Sequence, residues 1–495
     1  MNVVGQLEKW AKKFGHKAAI IFRDQEITYR KLRDNTFKLS NKLTQLGLKK
    51  GDCVAIYLPN NPEYIYSYLA IFSLGLIAVP LDFMLTEDEL RTCLNHCEAQ
   101  VLIAQAKEGV SVENLIRALP SLKKIILPQE LTRILSKKSA SASRVKISAK
   151  DHCMIVYSSG TTGRPKGILW NYRHLDSGPK TFAHFVEVNK DFTLLCCLPF
   201  SHGGGLVFIQ SLVAFGITLV LMERFIPLDF LKNIQKYKVN GYFLVPSMYY
   251  VLLSLKELPS FDLSSLKWIN CFGASSSVHA IKRFRKFCPQ AAYHHGWGMM
   301  ETAPPNIILP AGADDKMESI GKAAPWFEVR IADEKDREIR RGEVGQLIVR
   351  GWPVMEGYYK DPKLTQQVMK NGWLHTGDLA KMDKEDFIYI LGRVSERIKV
   401  GGLLVYASEV ESALLKHPRI KEVAVVGVAD KLRGEVPRAF MALKNGNSLD
   451  SRELRYFCRR HLAHFKIPRY FEFMPALPKN STGKIDKEKL KSEFI

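Results

Sequence analysis

Apolar residues along this chain fall in short continuous blocks, separated by longer polar stretches of helical period. Such blocks read as buried strands and the stretches between them as helices. The opening Met1-Asn2-Val3-Val4-Gly5-Gln6-Leu7-Glu8-Lys9-Trp10 has the pattern of an amphipathic helix. Ala18-Ala19-Ile20-Ile21-Phe22 and Glu26-Ile27-Thr28-Tyr29 predict a hairpin turning at Asp24-Gln25. Residues 29–46 are helical in period and stop at Gly47. A turn at Gly51-Asp52 leads into a buried strand over 53–58; residues 61–74 predict a helix ending at Gly75, and 76–80 a further strand. Strands alternating with helices predict a parallel α/β sheet. The blocks at 153–157, 241–245 and 268–272 continue the series. Beyond residue 408 the pattern changes to helix (408–416), strands (423–428 and 438–443) and helix (454–464). That is a compact α+β unit of about 100 residues, enough to fold on its own.

Composition narrows the class. The 495 residues suffice for more than one domain, and 46% hydrophobic with 25% charged residues is ordinary for a soluble globular protein. The longest apolar stretches, near 69–81 and 211–222, are too short or too glycine-broken to span a bilayer. The N-terminus lacks the basic-then-apolar order of a secretory signal. Nine scattered cysteines, an odd number, argue for reduced thiols and a cytoplasmic home. Cys93-Leu94-Asn95-His96-Cys97 has metal-ligating residue types but no second pair at zinc spacing, which favours packing within a helix. Cys196-Cys197 reads as part of a buried strand. The formal charge of +22 would suit nucleic acid or an anionic membrane surface. The basic residues are spread out, however, without an aromatic-basic RNA-binding motif. They fit solubility and attraction for polyanionic small molecules, and leave a weak membrane-surface contact open. Residues 133–150, basic and without an acidic residue, read as an exposed linker or a frayed helix.

The densest chemistry lies in Tyr157-Ser158-Ser159-Gly160-Thr161-Thr162-Gly163-Arg164-Pro165-Lys166-Gly167. Glycines allow close backbone approach, hydroxyls donate, and two cations flank a stiffening proline. Such a loop suits a polyphosphate, the alternative being a surface turn of small residues. It is not a Walker A loop, because Gly167 rather than Ser or Thr follows Lys166.

The stretch resembles the signature loop of the acyl-activating, adenylate-forming superfamily, which includes AMP-forming acyl-CoA synthetases, peptide-synthetase adenylation domains and beetle luciferases. The resemblance implies that Ser158, Ser159, Gly160, Thr161, Thr162, Gly163 and Lys166 hold the phosphates of ATP, with Thr161 beside a Mg²⁺ ion. Further segments match in the family's order. Leu58-Pro59-Asn60-Asn61-Pro62-Glu63 through Val79-Pro80-Leu81 resembles the N-terminal pattern. Leu198-Pro199-Phe200-Ser201-His202-Gly203-Gly204-Gly205 is similar to the segment lining the acyl pocket, where His202 would gate between nucleotide and acyl groups. Amino-acid-activating relatives carry an aspartate at the Gly203 position; without it a buried ammonium would be unpaired, which argues for a plain carboxylic acid. Gly273-Ala274 matches the segment lying against adenine. In His294-His295-Gly296-Trp297-Gly298-Met299-Met300-Glu301-Thr302, Glu301 corresponds to the Mg²⁺-associated carboxylate. There Trp297 replaces a tyrosine that stacks on adenine, Met300 replaces a phosphate-binding threonine, and the two histidines read as strand-end residues.

Toward the C-terminus, Gly342 to Gly351 and Gly357-Tyr358-Tyr359 match segments of structural role. In Gly372-Trp373-Leu374-His375-Thr376-Gly377-Asp378, Asp378 on a tight turn would accept both ribose hydroxyls, unless it merely caps that turn. Gly392-Arg393-Val394-Ser395-Glu396-Arg397-Ile398-Lys399-Val400-Gly401-Gly402 matches the family's domain boundary. Arg393 would contact ribose or phosphate, Ser395 would be the hinge, and Gly401-Gly402 would approach the pantetheine thiol. Lys484, within Thr482-Gly483-Lys484-Ile485, would be a mobile cation bridging carboxylate and α-phosphate rather than a solvated lysine.

The fold implied is a large N-terminal α/β domain of several subdomains (1–394) and a small mobile α+β lid (395–495). Catalytic roles fall to Lys484, Glu301 and His202. The reaction implied converts an acid and ATP to acyl-adenylate, then to a thioester with CoA. Two alternatives are a stand-alone adenylating enzyme loading a carrier-protein phosphopantetheine in trans, and a catalytically weak nucleotide-binding protein, for which Met300 speaks. The acid stays open between fatty and aryl: Gly203, Gly204 and Gly205 would leave room, with Trp170, Trp297 and Met299 as candidate pocket walls.

Overall fold

The computed structural model describes residues 2–137, 145–158, 166–272, 278–444, 448–479 and 485–494. The chain divides into two compact units, residues 1–328 with 350–374, and residues 329–349 with 375–495.

The first unit begins with the helix Val3–Lys13, capped by the Asn2 side chain, which buries Val3, Leu7, Trp10 and Ala11 along one stripe. The hairpin Ala18–Phe22 and Gln25–Thr28 follows. Its turn residues are Arg23 and Asp24, both at positive φ, with Gln25 already paired to Phe22. The turn therefore sits one residue earlier than Asp24-Gln25, because a two-residue hairpin turn needs left-handed backbone at both positions.

Two sheets organise this unit. In the six-stranded sheet the order is Lys124–Ile126, Val101–Ala104, Cys53–Tyr57, Ile77–Pro80, His152–Ser158 and Lys166–Asn171. All neighbours are parallel except the last pair, which is antiparallel. In the nine-stranded sheet six parallel strands stand in the order Ala292–Trp297, Trp268–Cys271, Gly241–Leu244, Thr193–Cys196, Thr218–Leu221, Ala18–Phe22, with antiparallel strands at both ends. The inner strands are buried on both faces, as helical crossovers require, which is why they read as unbroken apolar blocks. Every crossover returns the chain to the same end of its sheet. The carboxyl ends of the parallel strands, where ligands bind in open α/β folds, thus share one side of each sheet.

The basic segment 133–150 is not wholly a linker. Residues up to Ser136 belong to the helix Pro128–Ser136, whose Leu131 and Ile134 are buried. One apolar residue per turn was enough to hold the helix there despite the polar composition. All nine cysteines are free and buried, with Cys93 and Cys97 on the inner face of the helix Glu87–Cys97. Among the described residues no cluster of His, Cys, Asp and Glu could hold a metal ion by itself, and no helix is long and apolar enough to cross a membrane.

The second unit contains the ladder between Trp373–Met382 and Ile388–Arg393, from Asp378 onward, and a five-stranded sheet. That sheet is built on the long pair Ile420–Asp430 and Gly434–Leu443. Along the first strand, Val423 and Val425 face a cluster with Val410, Leu414 and Leu454. Ala424, Val426 and Val428 face another with Leu477 and Leu490. Period-two alternation thus buries both faces under helices. The helix expected over 454–464 runs Ser451–Arg459 instead, because the Asp450 carboxylate caps it by accepting from Glu453 N–H.

Candidate functional site

The phosphate-loop residues Ser159, Gly160, Thr161, Thr162 and Gly163 lie outside the described residues, as do Gly273, Ala274 and Lys484. The elements carrying them are described. Ser158 ends one strand and Lys166 opens the next, and the two pair across an antiparallel ladder. Ser158 and Lys166 are therefore cross-strand partners at the carboxyl end of a parallel strand. Gly167 sits where a Cβ would meet Ile155 at 2.9 Å and Tyr157 at 3.3 Å, so a glycine is needed to bring the two strands this close. On the other edge, Tyr359 N–H donates to Gly167 O at 2.7 Å and Leu169 N–H to Gly357 O at 3.2 Å. The segment Gly357-Tyr358-Tyr359 is thereby laid along the hairpin.

That placement brings Tyr358 to Glu301. Its phenol donates to Glu301 Oε1 at 2.9 Å. Burial, and then the charge of Glu301, push the phenol's pKa up, so it stays a protonated donor at neutral pH. Glu301 is 8% exposed and lies on the single turn Met300–Thr302 just beyond the strand Ala292–Trp297. The turn is pinned from three sides. Met355 N–H donates to Glu301 O at 2.7 Å, Trp170 Nε1–H to Met300 O at 2.7 Å, and Thr302 Oγ1–H to Met299 O at 2.9 Å. A carboxylate offers about four lone pairs, so one that accepts from a phenol can also serve a metal ion. It can hold a hard cation whose remaining ligands are water and phosphate oxygens, so the residues fit Mg²⁺.

His202 immediately precedes the helix Gly203–Phe215 as its N-cap residue. Its Nε2 lies 2.9 Å from Asp82 Oδ2. Asp82 follows the strand Ile77–Pro80, and its other oxygen accepts Met84 N–H at 2.9 Å. Each residue therefore leaves a different sheet, and their contact joins two strand ends. Asn60 secures the same turn, donating to Leu198 O at 2.7 Å and accepting Phe200 N–H at 3.0 Å.

The glycines after His202 do not leave room. A Cβ on Gly205 would stand 2.2 Å from Pro199 O; on Gly203 it would meet Pro304 at 2.9 Å and Met300 Sδ at 3.0 Å; on Gly204 it would meet Leu198 at 3.0 Å. Gly205 is what lets the helix start tight against the preceding turn. Trp170, also expected at the pocket wall, is fully buried, with its indole N–H spent on Met300 O. Trp297 is 9% exposed and its ring is tilted 41° against Phe327 at 6.4 Å. His294 and His295 are strand residues as expected, buried with Nδ1 against the carbonyls of Leu309 and Ser319.

Another histidine reports on this region. His174 Nδ1 accepts Asn171 N–H at 2.9 Å, and its Nε2 lies 3.1 Å from Val354 O. Burial, opposed by that carbonyl, pushes its pKa down to about 4. The unfolded chain takes this proton near pH 6.5, so between there and pH 4 the unfolded state binds more protons and stability falls as pH falls. The expected loss is about 3 kcal/mol over that window. Denaturant unfolding from pH 7 to 4.5 should be flatter for His174→Asn than for the parent; equal slopes would refute the assignment.

In the second unit, Asp378 is not on a turn. It lies within the strand Trp373–Met382, after Gly377 at φ +74°, and the left-handed glycine turns the backbone so that Asp378 N–H meets Thr376 Oγ1 at 3.0 Å. Asp378 and Arg393 are cross-strand partners, with Arg393 Nε 2.9 Å from Asp378 Oδ1 and Nη1 2.9 Å from Thr376 O. The sequence marks both residues but not their pairing. The residues it missed are Asp82, Asn60 and Tyr358. The available signal was a polar side chain just past a buried strand for the first two, and a phenol in a matched segment for the third.

A family profile described as AMP-binding enzyme matches residues 7–359, and one described as AMP-binding enzyme C-terminal domain matches residues 409–484. The chain belongs to the adenylate-forming acyl-CoA synthetase superfamily. It is 32% identical to a long-chain-fatty-acid–CoA ligase of Bacillus subtilis (strain 168), over 98% of this chain and 93% of that protein. It is 31% identical to a feruloyl-CoA synthase of an Amycolatopsis species, over 97% and 96%. Its fold matches the O-succinylbenzoate coenzyme A synthetase of Bacillus subtilis in complex with ATP and magnesium ion, with a TM-score of 0.86, 28% identity and coverage of 98% and 99%. The protein is an AMP-forming acyl-CoA synthetase. The α/β architecture with a large N-terminal and a smaller C-terminal domain is that of the family. The carrier-protein alternative finds no support in these relatives.

Proposed function

We propose that this synthetase activates a carboxylic acid without an α-amino group, fatty or aryl, and joins it to CoA. The observation that carries this reading is the start of the helix Gly203–Phe215. Position 203 is a glycine, so no acidic side chain stands there, and a Cβ at that position would meet Pro304 at 2.9 Å and Met300 Sδ at 3.0 Å. The neighbouring Asp82 is engaged through both oxygens, by His202 and Met84 N–H. A helix N-terminus attracts anions and repels cations. These surroundings favour a carboxylate over an ammonium.

Within this reading Ser158, Lys166 and the loop between them take the triphosphate, and Gly273, Ala274 and Trp297 serve the adenine. Asp378 accepts from the ribose hydroxyls, oriented by Arg393. Glu301, held by Tyr358, and Thr161 would hold Mg²⁺, which supplies positive charge to the phosphates when bound. The acid is already ionised at pH 7, so its oxygen needs position rather than activation. It attacks the α-phosphorus; the bond to the β-phosphate oxygen breaks and pyrophosphate leaves. Lys484 balances the charge gathered between carboxylate and phosphate. The lid from Ser395 onward then turns, and the CoA thiolate attacks the acyl carbon, releasing AMP.

A panel of acids tested by hydroxamate trapping and by ATP–pyrophosphate exchange checks this. Fatty or aryl acids should give signal and consume CoA, whereas α-amino acids should not. Exchange with α-amino acids alone would overturn the reading.

A further inference from the structure

The last helix, Lys487–Phe494, begins with a cation in an unfavourable place. The macrodipole repels positive charge at a helix N-terminus, and Lys487 is also four-fifths buried. Two carboxylates compensate: Glu396 at 2.6 Å and Glu411 at 2.9 Å. Burial lowers the ammonium pKa, but the two carboxylates outweigh it and raise it, so the charge persists at neutral pH. Glu411 is itself fixed, accepting Val425 N–H at 2.7 Å from the strand Ile420–Asp430.

The partners are what make this informative. Glu396 closes the single turn Val394–Glu396, which contains Ser395 and follows Arg393. Glu411 lies on the helix Ala407–Leu414, packed on the hydrophobic cluster of the unit. Lys487 stands three residues after Lys484 in the chain. The flanks of residues 480–484 are closed by a bridge between Lys479 and Ile485 and by Asp486 N–H donating to Pro478 O at 2.9 Å. One ammonium therefore ties three things together: the segment after the hinge position, the body of the small unit, and the stem formed by the residues that flank 480–484. A buried ion pair is a poor source of net stability and is often replaceable by apolar side chains. Its value lies in the geometry it imposes.

We propose that Lys487 is a positioning residue for adenylation. It locks residues from Glu396 onward and the Lys484 stem into one rigid body, so that rotation at Ser395 carries Lys484 along a single path. The inference rests on the acyl-activating reading and on Lys484 as its mobile cation. Gly401-Gly402 has its own anchor, Gly401 N–H to Arg433 O at 2.7 Å, so the thioester step should not need Lys487.

The experiment compares Lys487→Met, Lys487→Arg and Glu396→Gln in the full chain with the best acid of the panel. ATP–pyrophosphate exchange reports adenylation; thioester formation from CoA and chemically prepared acyl-adenylate reports the second step. Lys487→Met is expected to lower exchange kcat about 10- to 100-fold, with KM for ATP within about threefold. Thioester formation should stay near parental when assayed well below the variant's melting temperature, which Lys487→Met lowers because Glu396 and Glu411 lose their cation. Glu396→Gln should follow in the same direction, and Lys487→Arg should recover most of the rate. Parental exchange in Lys487→Met, or equal loss of both steps in the folded variant, would overturn the proposal. A parent that exchanges with no acid would instead overturn the acyl-activating reading, and this inference with it.

Discussion

Lys484→Ala is expected to slow acyl-adenylate formation by at least about 100-fold while leaving thioester formation from prepared acyl-adenylate within a few-fold. In adenylation an anionic carboxylate approaches an anionic phosphate, and charge accumulates on the phosphoryl oxygens before pyrophosphate leaves. Removing one donor aimed at such developing charge costs about 3 kcal/mol, which is the stated factor. In the second step the phosphate is a leaving group and the nucleophile is sulfur, so the same cation has less to neutralise. Pyrophosphate exchange and thioester formation measured on one preparation separate the two. Equal losses in both, or none in exchange, would remove Lys484 from its role and return it to a solvated lysine near the chain end.

Asp378→Ala should lower kcat/KM for ATP by about 1000-fold, mostly through KM. The carboxylate is 5% exposed and held by Arg393 at 2.9 Å, so its oxygens are presented at fixed positions. Two hydrogen bonds from a ribose diol to a charged acceptor are together worth about 4 kcal/mol. Alanine would also leave the Arg393 guanidinium with Thr376 O but without its charged partner. Asp378→Asn keeps the shape and one good acceptor, and should fall between parent and alanine. Initial rates of exchange across ATP concentrations, with nucleotide binding followed by calorimetry, measure this directly. An Asp378→Ala enzyme with parental KM for ATP would show that the residue serves its strand and not the nucleotide.

Both predictions begin from residues recognisable in the chain itself, and that reaches only so far. The glycines at 203–205 show why. In sequence they suggest space; in the fold Gly205 approaches the Pro199 backbone too closely for a Cβ, and a Cβ at Gly203 or Gly204 would press on neighbouring side chains at 2.9 to 3.0 Å. A glycine says that a side chain is not tolerated, and only the neighbours say whether emptiness or contact is the reason. The same limit applies to Asp378. Gly-Asp suggests a turn, yet a left-handed glycine is equally at home within a bulged strand, and the ladder with Ile388–Arg393 selects that outcome.

Sequence by itself determined the alternation of buried strands and helices, the change to a smaller α+β unit near the end, and the ordered motifs that carry family membership. These are local patterns of period and residue type, and locality is what a linear reading preserves. Tertiary structure alone decided that Asp82 meets His202, that Tyr358 holds Glu301, that Arg393 faces Asp378, and that Lys487 reaches Glu396 and Glu411. Partners such as Asp82 and His202, separated by more than a hundred residues, are brought together by crossovers that return each strand to the same end of a sheet. The physical reason is that side-chain chemistry is written residue by residue, whereas charge pairing depends on distance in space, which only the packed chain sets.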